Sequence, residues 1–496
     1  MPQPLSTRFW AVFALWTLLA TGCTNALSPH SLDRLRPCQS SEGPTDALCG
    51  TVKVFENRHT GVGRQIELWV VVLPSLSATP RPDPLFFLAG GPGQAAAQLA
   101  SQVRVVFRQI QRTRDIVLVD QRGTGKSNPL NCRSSASSLR ELTEGNDVAL
   151  ARLRQCLAAY NADVRLYTTD LAMDDLDDVR EFLGYDQINL YGGSYGTRAA
   201  LVYLRQHGEH VRSAVLDGVA PTDMRLPLFT ARDAQLALDN ALADCDGDAL
   251  CQRTFPGLGE RIRSLIASLD RRPRQVRIVH PRTGVAEEVR VDARVVATVL
   301  FGALYSPLTA SLVPALVDRA EQNDFQGLFA LALASEDASE NMSIGMQLSV
   351  LCSEDASRVS AGELAQETSG SVFGSHLIGS QLDACAMWPK GKVDASYYHP
   401  VVSDVPVLVV SGEIDPVTPP AWGASVVKHL SRGRHIVFPS TGHGVVSTPC
   451  GNRLVIKFID QGSAEGLDTS CVAAVRRPPF FVTPAGPDPA GDDVSR

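Results

Sequence analysis

One glycine-rich turn constrains the fold of this 496-residue chain more than any other feature. The segment LYGGSYGTRAA, residues 190–200, contains the pattern G-x-S-x-G as Gly192, Ser194 and Gly196. An apolar run precedes the pattern, and a segment with helical spacing of apolar residues follows it. A serine in such a turn between strand and helix sits on a strained backbone, where its hydroxyl can act as a nucleophile. The sequence therefore predicts a strand–turn–helix unit with Ser194 as the nucleophile.

Short apolar runs that end in glycine or acidic residues occur toward both ends of the chain and predict further strands. Segments with helical spacing lie between most of them. Nearly all-apolar strands that alternate with helices are typical of a mostly parallel sheet covered on both faces. We therefore predict the α/β class. The predicted strands are 52–55, 66–73, 84–91, 115–123, 187–194, 213–219, 405–415 and 434–443.

The alternation is interrupted in the middle of the chain, where Leu, Ala, Arg and Asp recur at helical spacing. The interruption predicts a large, mainly helical cap inserted between two parts of one sheet. The last residues are polar and rich in Pro and Gly, which is typical of a disordered tail. The predicted boundaries are 23–45 for an N-terminal linker, 46–220 for the first core part, 221–402 for the cap, 403–482 for the second core part with a C-terminal extension, and 483–496 for the tail.

The N-terminus has the pattern of an export signal. Arg8 is followed by an apolar run of about 14 residues, which is short for a hydrocarbon core of about 30 Å. A basic residue, a short apolar run and small residues predict a secretory signal peptide over residues 1–22. The stretch Leu19–Cys23 also resembles a bacterial lipobox, although Ala20 differs from the usual leucine, so cleavage without lipidation stays open. We predict export, either by secretion or as a periplasmic or outer-membrane lipoprotein attached through Cys23.

The cysteines support export. With Cys23 set aside, ten of the eleven cysteines remain and form neighbouring pairs along the sequence. Five local disulfides suit an oxidising compartment. Because there is no Cys-x-x-Cys and no histidine at ligand spacing, we predict no metal site and no cofactor. The predicted disulfides are Cys38–Cys49, Cys132–Cys156, Cys245–Cys251, Cys352–Cys385 and Cys450–Cys471.

Composition and one motif argue against nucleic acid and nucleotide ligands. The net charge is −7 and no long basic run occurs, so we predict no nucleic-acid partner. Gly125-Lys126-Ser127 resembles the end of a phosphate-binding loop. That loop needs a glycine at position 120, which is occupied by Asp120. The segment 120–127 is therefore predicted as a turn after a buried strand and not as an ATP site.

A serine nucleophile requires a histidine base and a carboxylate that orients it. Asp415 ends the apolar run VLVVSGEID, and His443 lies in a glycine loop just after the last predicted strand. The chain order of serine, acid and histidine favours a triad of Ser194, Asp415 and His443. The alternatives that stay open are Asp217 and Asp120 for the acid and His435 and His429 for the histidine.

The same chemistry needs two backbone N–H groups that face the negative charge formed on the carbonyl oxygen. Tyr195 directly follows the nucleophile and is expected to supply one of them. The other is expected from Gly90 or Gly91 in the loop AGGPG, residues 89–93, which follows a predicted strand.

Several motifs, taken together and in order, resemble the proline iminopeptidase and tripeptidyl aminopeptidase family of α/β-hydrolases. The resemblance covers about residues 50–475 and is strongest for the secreted branch with a C-terminal extension. One departure is Ala89, since proline iminopeptidases typically carry histidine before GGPG. The motifs are GGPG (90–93), DQRGTGKS (120–127), GGSYGT (192–197), CDGDALC (245–251), LCSED (351–355), CAMWP (385–389), GEIDPVTP (412–419), GHG (442–444) and LDTSCV (467–472).

The resemblance implies an α/β-hydrolase fold and an aminopeptidase that acts on peptides with a free N-terminus. In such enzymes acidic residues of the cap hold the substrate's α-amino group, because an ammonium in a partly dry pocket needs a carboxylate partner. Glu354 and Asp355, next to Cys352, are our candidates. Asp120 and Arg122 are expected to shape the floor of the site.

Two alternative functions stay open. An esterase or lipase would use the same triad, because a fold does not fix the acyl group. A catalytically idle binding lipoprotein is the second alternative, and the intact serine, aspartate and histidine set argues against it.

Overall fold

The computed structural model describes residues 32–40, 43–132, 137–334, 342–483 and 486–487. The predicted signal peptide, Cys23 and most of the predicted tail lie outside these residues. The strands, in chain order, are β1 (Arg36–Ser40), β2 (Gly43–Phe55), β3 (Gln65–Leu73), β4 (Leu85–Leu88), β5 (Ile116–Val119), β6 (Ile188–Gly193), β7 (Val211–Asp217), β8 (Arg274–Val279), β9 (Ala286–Val291), β10 (Val407–Gly412) and β11 (Gly433–Phe438).

Nine of these strands form one sheet in the order β1-β2-β3-β5-β4-β6-β7-β10-β11. The strands from β5 to β11 in that order pair in parallel, whereas β1, β2, β3 and β5 pair antiparallel along the first part of that order. The predicted α/β class with a mostly parallel sheet is confirmed. The hairpin of β8 and β9 is separate from this sheet and was not predicted, because its alternating pattern lies within a segment of helical composition.

The sheet is buried on both faces. Val70 and Val72 of β3 belong to one apolar cluster, and Val71 and Leu73 to another, because successive side chains of a strand point to opposite faces. Helices Thr169–Leu183 and Tyr195–His207 pack in the first cluster, and helices Ala100–Val106 and Pro449–Gln461 in the second. The remaining helices of the core parts are Arg108–Gln111, Ser138–Thr143, Asn146–Ala159 and Pro420–Val427.

The strand order creates a crevice at the carboxyl end of the sheet. In the sheet, β5 lies on one side of β4 and β6 lies on the other, so the direction in which successive strands are added reverses at β4. Such a reversal opens a crevice outside the carboxyl ends of the strands. Leu88 of β4 lies opposite Gly192 of β6, so the loop after β4 and the turn at Ser194 meet there.

The segment predicted as a cap contains most of the other helices. The described helices from 230 to 334 form an apolar cluster that also includes the β8–β9 hairpin, Leu139, Phe373 and Phe480, and no described residue of the nine-stranded sheet belongs to it. The predicted division into core parts and cap stays a prediction. Helices of this segment are Thr230–Gly247, Ala249–Thr254, Leu258–Arg271, Ala293–Ala303, Pro307–Ala310, Val313–Glu321, Gln326–Ala334, Ile344–Val350, the π-helical turn Leu351–Asp355, Ala361–Thr368 and Gly379–Met387.

Five disulfides cross-link the chain and indicate an exported or extracellular protein. They join the cysteines that are neighbours along the sequence, as paired above. Within the described ranges, no helix has the length and apolar character needed to cross a membrane. The disulfides are Cys38–Cys49, Cys132–Cys156, Cys245–Cys251, Cys352–Cys385 and Cys450–Cys471.

Candidate active site

Ser194 occupies the turn between β6 and the helix Tyr195–His207, with φ of 55° and ψ of −125°. A positive φ is unusual for a residue with a side chain and holds the hydroxyl out of the helix. The glycines on both sides of Ser194 are required because there is no room for a side chain at either position. A Cβ on Gly192 would overlap the carbonyl oxygen of Gly196, and one on Gly196 would overlap that of Leu88. The G-x-S-x-G pattern therefore follows from the close approach of the helix to β4 and β6.

Asp415 and His443 are joined by a hydrogen bond of 2.8 Å between Oδ2 and Nδ1. Asp415 follows β10 and His443 follows β11, so both lie at the carboxyl edge of the sheet that also carries Ser194. The Asp415 carboxylate accepts further hydrogen bonds from the N–H groups of Val417 (2.9 Å) and Thr418 (2.8 Å) and from the Thr418 hydroxyl (2.8 Å). These donors fix the carboxylate toward the imidazole.

The contact between Asp415 and His443 lowers the pKa of the aspartate and raises that of the histidine, which favours the charged form of both. Burial opposes the charge of Asp415, but His443 and the backbone donors outweigh it, so the pKa of Asp415 lies below its ordinary value. Burial likewise opposes a charged His443, but the Asp415 carboxylate outweighs it and raises the pKa of the imidazole. His443 is therefore a stronger base than a free histidine, with Nε2 left to take a proton.

Asp217 and Gly218 lie between the serine and the histidine. The N–H of Ser194 donates to the carbonyl oxygen of Asp217 at 2.9 Å. A Cβ on Gly218, which has φ of 71°, would lie 3.2 Å from Cε1 of His443. The side chains of Ser194 and His443, both described, make no hydrogen bond with each other.

The alternative acids have other partners. The Asp217 carboxylate accepts hydrogen bonds from the N–H groups of Val445 and Val446, both at 2.8 Å, and from the hydroxyl of Tyr191 at 2.8 Å. Asp217 thus holds the loop that follows His443. Asp120 accepts from the N–H groups of Ala97 (2.8 Å) and Lys126 (3.0 Å).

The alternative histidines lack a carboxylate within the described part of the chain. His435 Nε2 lies 3.0 Å from the hydroxyl of Ser411, and burial lowers the pKa of His435. His429 follows the helix Pro420–Val427 and lines a small surface depression that Asp415 does not line. Among the aspartates considered for the acid and the histidines considered for the base, only Asp415 and His443 form a pair.

The loop after β4 borders the serine. A Cβ on Gly90 would lie 3.3 Å from Cβ of Ser194. The N–H of Gly90 donates to Oε1 of Gln94 at 3.1 Å, whereas the N–H of Gly91 has no acceptor among the described residues. The N–H of Tyr195 is in the first turn of its helix, where N–H groups have no intrahelical partner. Of the N–H donors predicted from the sequence, those of Gly91 and Tyr195 thus have no hydrogen-bond acceptor among the described residues.

Glu354 and Asp355 lie in the π-helical turn Leu351–Asp355 and are both 0% exposed. The Asp355 carboxylate pairs with Nη1 of Arg198 at 2.7 Å and with Arg358 at 3.2 Å. Glu354 accepts hydrogen bonds from Thr169 and from the hydroxyl of Tyr397. The amine-binding role stays a prediction for both residues.

Arg122 links the loop after β5 to neighbouring segments of the core. Its guanidinium forms two hydrogen bonds of 2.7 Å with the carboxylate of Asp175, and others with the carbonyl oxygens of Leu166, Glu56 and Phe55. These contacts tie the loop after β5 to the helix Thr169–Leu183. Among the described residues, no group of three or more His, Cys, Asp or Glu side chains is arranged to hold a metal ion.

Sequence reasoning missed Tyr305, which contacts His443. The carbonyl oxygen of Tyr305 accepts the N–H of His443 at 2.8 Å, and its ring packs edge-on against the imidazole with centroids 5.3 Å apart. The backbone contact has no sequence signal, because any residue has a carbonyl. Arg198 was also missed, although a lone charge within the apolar run of the helix Tyr195–His207 could have marked it.

Comparisons with known proteins place the chain among the α/β-hydrolases. Residues 83–244 match the family model described as "alpha/beta hydrolase fold", and residues 370–471 match the one described as "TAP-like protein". The chain is 26% identical to serine protease Hip1 of Mycobacterium tuberculosis, over 93% of this chain and 97% of that protein. It is 27% identical to tripeptidyl aminopeptidase of Streptomyces lividans, over 36% of each chain.

A third relative is proline iminopeptidase of Neisseria gonorrhoeae, which is 32% identical over 29% of this chain and 34% of that protein. The segments matched by the two family models include the strands and loops that carry Ser194, Asp415 and His443. The chain is therefore a serine peptidase-like α/β-hydrolase that is similar to proline iminopeptidases and tripeptidyl aminopeptidases.

Proposed function

We propose that this protein is an exported serine aminopeptidase that hydrolyses peptide bonds near free N-termini through a triad of Ser194, His443 and Asp415. The observation that carries the proposal is the buried Asp415–His443 hydrogen bond at the sheet edge that also holds the strained Ser194. The names of the relatives support peptides as substrates.

The first half of the reaction forms an acyl-enzyme. Ser194 Oγ attacks the scissile carbonyl carbon while Nε2 of His443 takes the hydroxyl proton. Asp415 holds the ring with Nδ1–H toward itself and stabilises the imidazolium. When the C–N bond breaks, His443 gives the proton to the leaving amine.

The second half releases the acyl group. Water attacks the ester carbonyl as His443 takes one of its protons, and the proton then returns to Ser194 Oγ. In both halves the oxyanion is stabilised by the N–H groups of Tyr195 and of Gly90 or Gly91. Gly91 is favoured over Gly90 because its N–H has no described protein acceptor. Removing one such donor typically lowers kcat by a factor of about 10²–10³.

Export and attachment to a membrane belong to the same proposal. The five disulfides support an oxidising location, and the N-terminal sequence supports a signal peptide with Cys23 as a lipidation site. Mass spectrometry of the mature N-terminus from membrane and soluble fractions would test both. A mature chain that retains residues 1–22 would contradict export by signal cleavage.

The activity is tested with a substrate panel and two proteins, wild type and Ser194→Ala. The panel contains free-amine prolyl, alanyl and tripeptidyl nitroanilides, the same compounds with blocked amines, and p-nitrophenyl butyrate. We expect hydrolysis of the free-amine peptides, weak or no hydrolysis of the blocked ones, and loss of activity in Ser194→Ala.

Each outcome separates the alternatives. Hydrolysis of the ester alone would replace the peptidase with an esterase that uses the same triad. Activity retained by Ser194→Ala would exclude Ser194 as the nucleophile. A wild-type protein inactive on the whole panel would favour a binding lipoprotein.

A further inference from the structure

A buried polar network connects the first turn of the helix Tyr195–His207 to the π-helical turn Leu351–Asp355. The side chains of Tyr195 and Arg198 are three residues apart and project from one side of the helix, and both are buried. The Tyr195 hydroxyl lies 2.8 Å from Oγ1 of Thr169, and Thr169 in turn contacts Glu354. The network thus starts at the residue that follows the nucleophile.

Glu354 is saturated by internal donors. Oε1 accepts the N–H of Thr169 at 2.7 Å, and Oε2 accepts the hydroxyls of Thr169 (3.0 Å) and Tyr397 (2.5 Å). Arg198 lies 3.6 Å from the same carboxylate and 2.7 Å from Asp355. Because Glu354 is 0% exposed, a substrate ammonium could reach it only if these bonds were given up.

The direction of the hydrogen bonds follows from the carboxylate. Burial raises the pKa of Glu354 to about 7, against the opposing charge of Arg198, so the group is ionised above that pH. An ionised Glu354 only accepts, so the Thr169 hydroxyl donates to it and accepts from the Tyr195 hydroxyl. The chain of bonds from Glu354 through Thr169 to Tyr195 then has one orientation. Thr169 also begins the helix Thr169–Leu183, whose N-terminus favours a carboxylate.

From this geometry we infer that Glu354 is a positioning residue, which acts through Thr169 and the ring of Tyr195 to fix the oxyanion-binding N–H of Tyr195 beside Ser194. Arg198 and Asp355 hold the next part of the same helical turn. The inference rests on the proposed function, since it gives the Tyr195 N–H a catalytic role. It replaces the amine-binding role of Glu354 with one that acts on every substrate alike.

The physical reason is the sensitivity of catalysis to small displacements. A donor must lie within hydrogen-bond distance of the oxyanion, and a misplacement of about 1 Å can cost about 10²-fold in rate. A helix that begins at a strained serine has few backbone bonds in its first turn. The missing restraint comes from side-chain bonds to other segments. Tyr195 bonds to Thr169, which in turn bonds to Glu354, and Arg198 bonds directly to Asp355 in the disulfide-linked segment.

The test uses variants that break the network without emptying the core. Thr169→Val removes the hydroxyl at constant shape, Thr169→Ser retains it, and Tyr195→Phe removes the other hydroxyl. Glu354→Gln changes the proposed positioning residue itself. If that variant does not fold, the comparison of Thr169→Val with Thr169→Ser still tests the proposal. Tyr203→Phe is the matched control, because Tyr203 is on the same helix and its hydroxyl donates to Asp177 at 2.7 Å, away from Thr169.

We expect Thr169→Val, Tyr195→Phe and Glu354→Gln each to lower kcat by about tenfold on free-amine peptides and on p-nitrophenyl butyrate, with KM changed by less than about twofold. Thr169→Ser should restore kcat to within about twofold, and Tyr203→Phe should leave it unchanged. A raised KM confined to free-amine peptides, with unchanged kcat on the ester, would overturn the positioning role and assign Glu354 to the amine. Unchanged kinetics in all variants would also overturn it.

The ester keeps the two proposals distinguishable. If wild type hydrolyses the ester but no peptide, the aminopeptidase proposal fails and the effect of the variants on the ester still tests the network. If Ser194→Ala remains active, the nucleophile is wrong and both proposals fail.

Discussion

The loops after β7 and β10 make an instructive comparison, because each places a buried aspartate beside the loop of residues 443–446. Asp217 ends β7 and is 1% exposed, and Asp415 follows β10 and is also 1% exposed. The strands are neighbours, so both carboxylates lie at the same edge of the sheet. Asp415 contacts the imidazole of His443, whereas Asp217 contacts the backbone two and three residues later.

The two carboxyl groups differ in the direction of their pKa shift. Burial raises the pKa of Asp217, and the N–H groups of Val446 and Val445 with the hydroxyl of Tyr191 only partly oppose it. For Asp415, burial acts in the same direction, but the charge of His443 outweighs it and the pKa falls below the ordinary value. Because the two carboxyl groups are equally buried, the difference in their pKa shifts comes from their partners. Asp415, which bonds to the imidazole, is the better placed of the two to stabilise an imidazolium.

The largest expected effect separates the two aspartates by activity. Asp415→Asn should lower kcat by about 10⁴-fold, because an asparagine favours the wrong tautomer of the histidine. Asp217→Asn should lower it by about tenfold, since it loosens the loop after His443 without changing the tautomer. Both values come from initial rates on a free-amine nitroanilide at saturating substrate.

The controls are the melting temperatures of both variants, which show whether lost activity reflects unfolding. A loss for Asp217→Asn as large as that for Asp415→Asn, in folded proteins, would reverse the assignment of the acid. Equal and small losses for both would exclude a triad at this site.

The pH dependence of activity should follow the protonation of His443. His443 must be neutral to accept the serine proton, and its pKa is raised above the ordinary value of about 6.5 by Asp415, against the opposing effect of burial. The pKa that governs the acid side of the kcat/KM profile should therefore be above about 6.5. Below that pKa the protonated His443 cannot act as the base, so kcat/KM should rise with pH through this range. The measurement is kcat/KM for wild type over a pH range from about 5 to about 9.

The two aspartates can be compared in the same titration. In a Ser194→Ala background, NMR of the His443 imidazole should show a larger downward pKa shift for Asp415→Asn than for Asp217→Asn, because Asp415 makes the larger contribution and burial then dominates. Equal shifts would mean that the carboxylates act on the histidine to the same extent. A wild-type acid limb at or below about 6.5 would contradict the raised pKa.

The sequence predicts the parts of the candidate site that depend on strand ends. Ser194, Asp415 and His443 each follow an apolar run, and parallel strands bring their carboxyl ends to one edge, so the runs predict the meeting point. The disulfide partners could be paired because each joins cysteines close in sequence, with a separation of 6 to 33 residues.

The features of the site that could not be predicted from the sequence depend on contacts between segments that are distant along the chain. Thr169 and Glu354 are 185 residues apart, and nothing in either local sequence indicates the other. Tyr305 contacts His443 through its backbone carbonyl, and backbone groups carry no residue-specific signal. The preference for Gly91 over Gly90 has no signal in the sequence either, since it depends on the position of the Gln94 side chain.

The smallest expected effect sharpens the comparison at Asp217. Tyr191→Phe removes the one side-chain donor to that carboxylate among the described residues. We expect a loss of about 1–3 kcal/mol in the free energy of unfolding, with kcat reduced by less than about threefold. The matched control is Tyr185→Phe, because its buried hydroxyl donates to Asp115 at 2.7 Å, just before β5 at the opposite edge of the sheet. Denaturant unfolding and initial rates measure the two quantities.

Both variants lose a buried hydroxyl that donates to a carboxylate, so their stability losses should be similar, and only Tyr191→Phe should alter kcat. The reason that its effect on kcat stays small is that Asp217 holds Val445 and Val446 by two backbone bonds that remain after the substitution. If Tyr191→Phe instead lost most of its turnover while remaining folded, Asp217 would affect the chemistry more directly than through the loop. Asp217 would then have to be counted with Asp415 as a partner of His443.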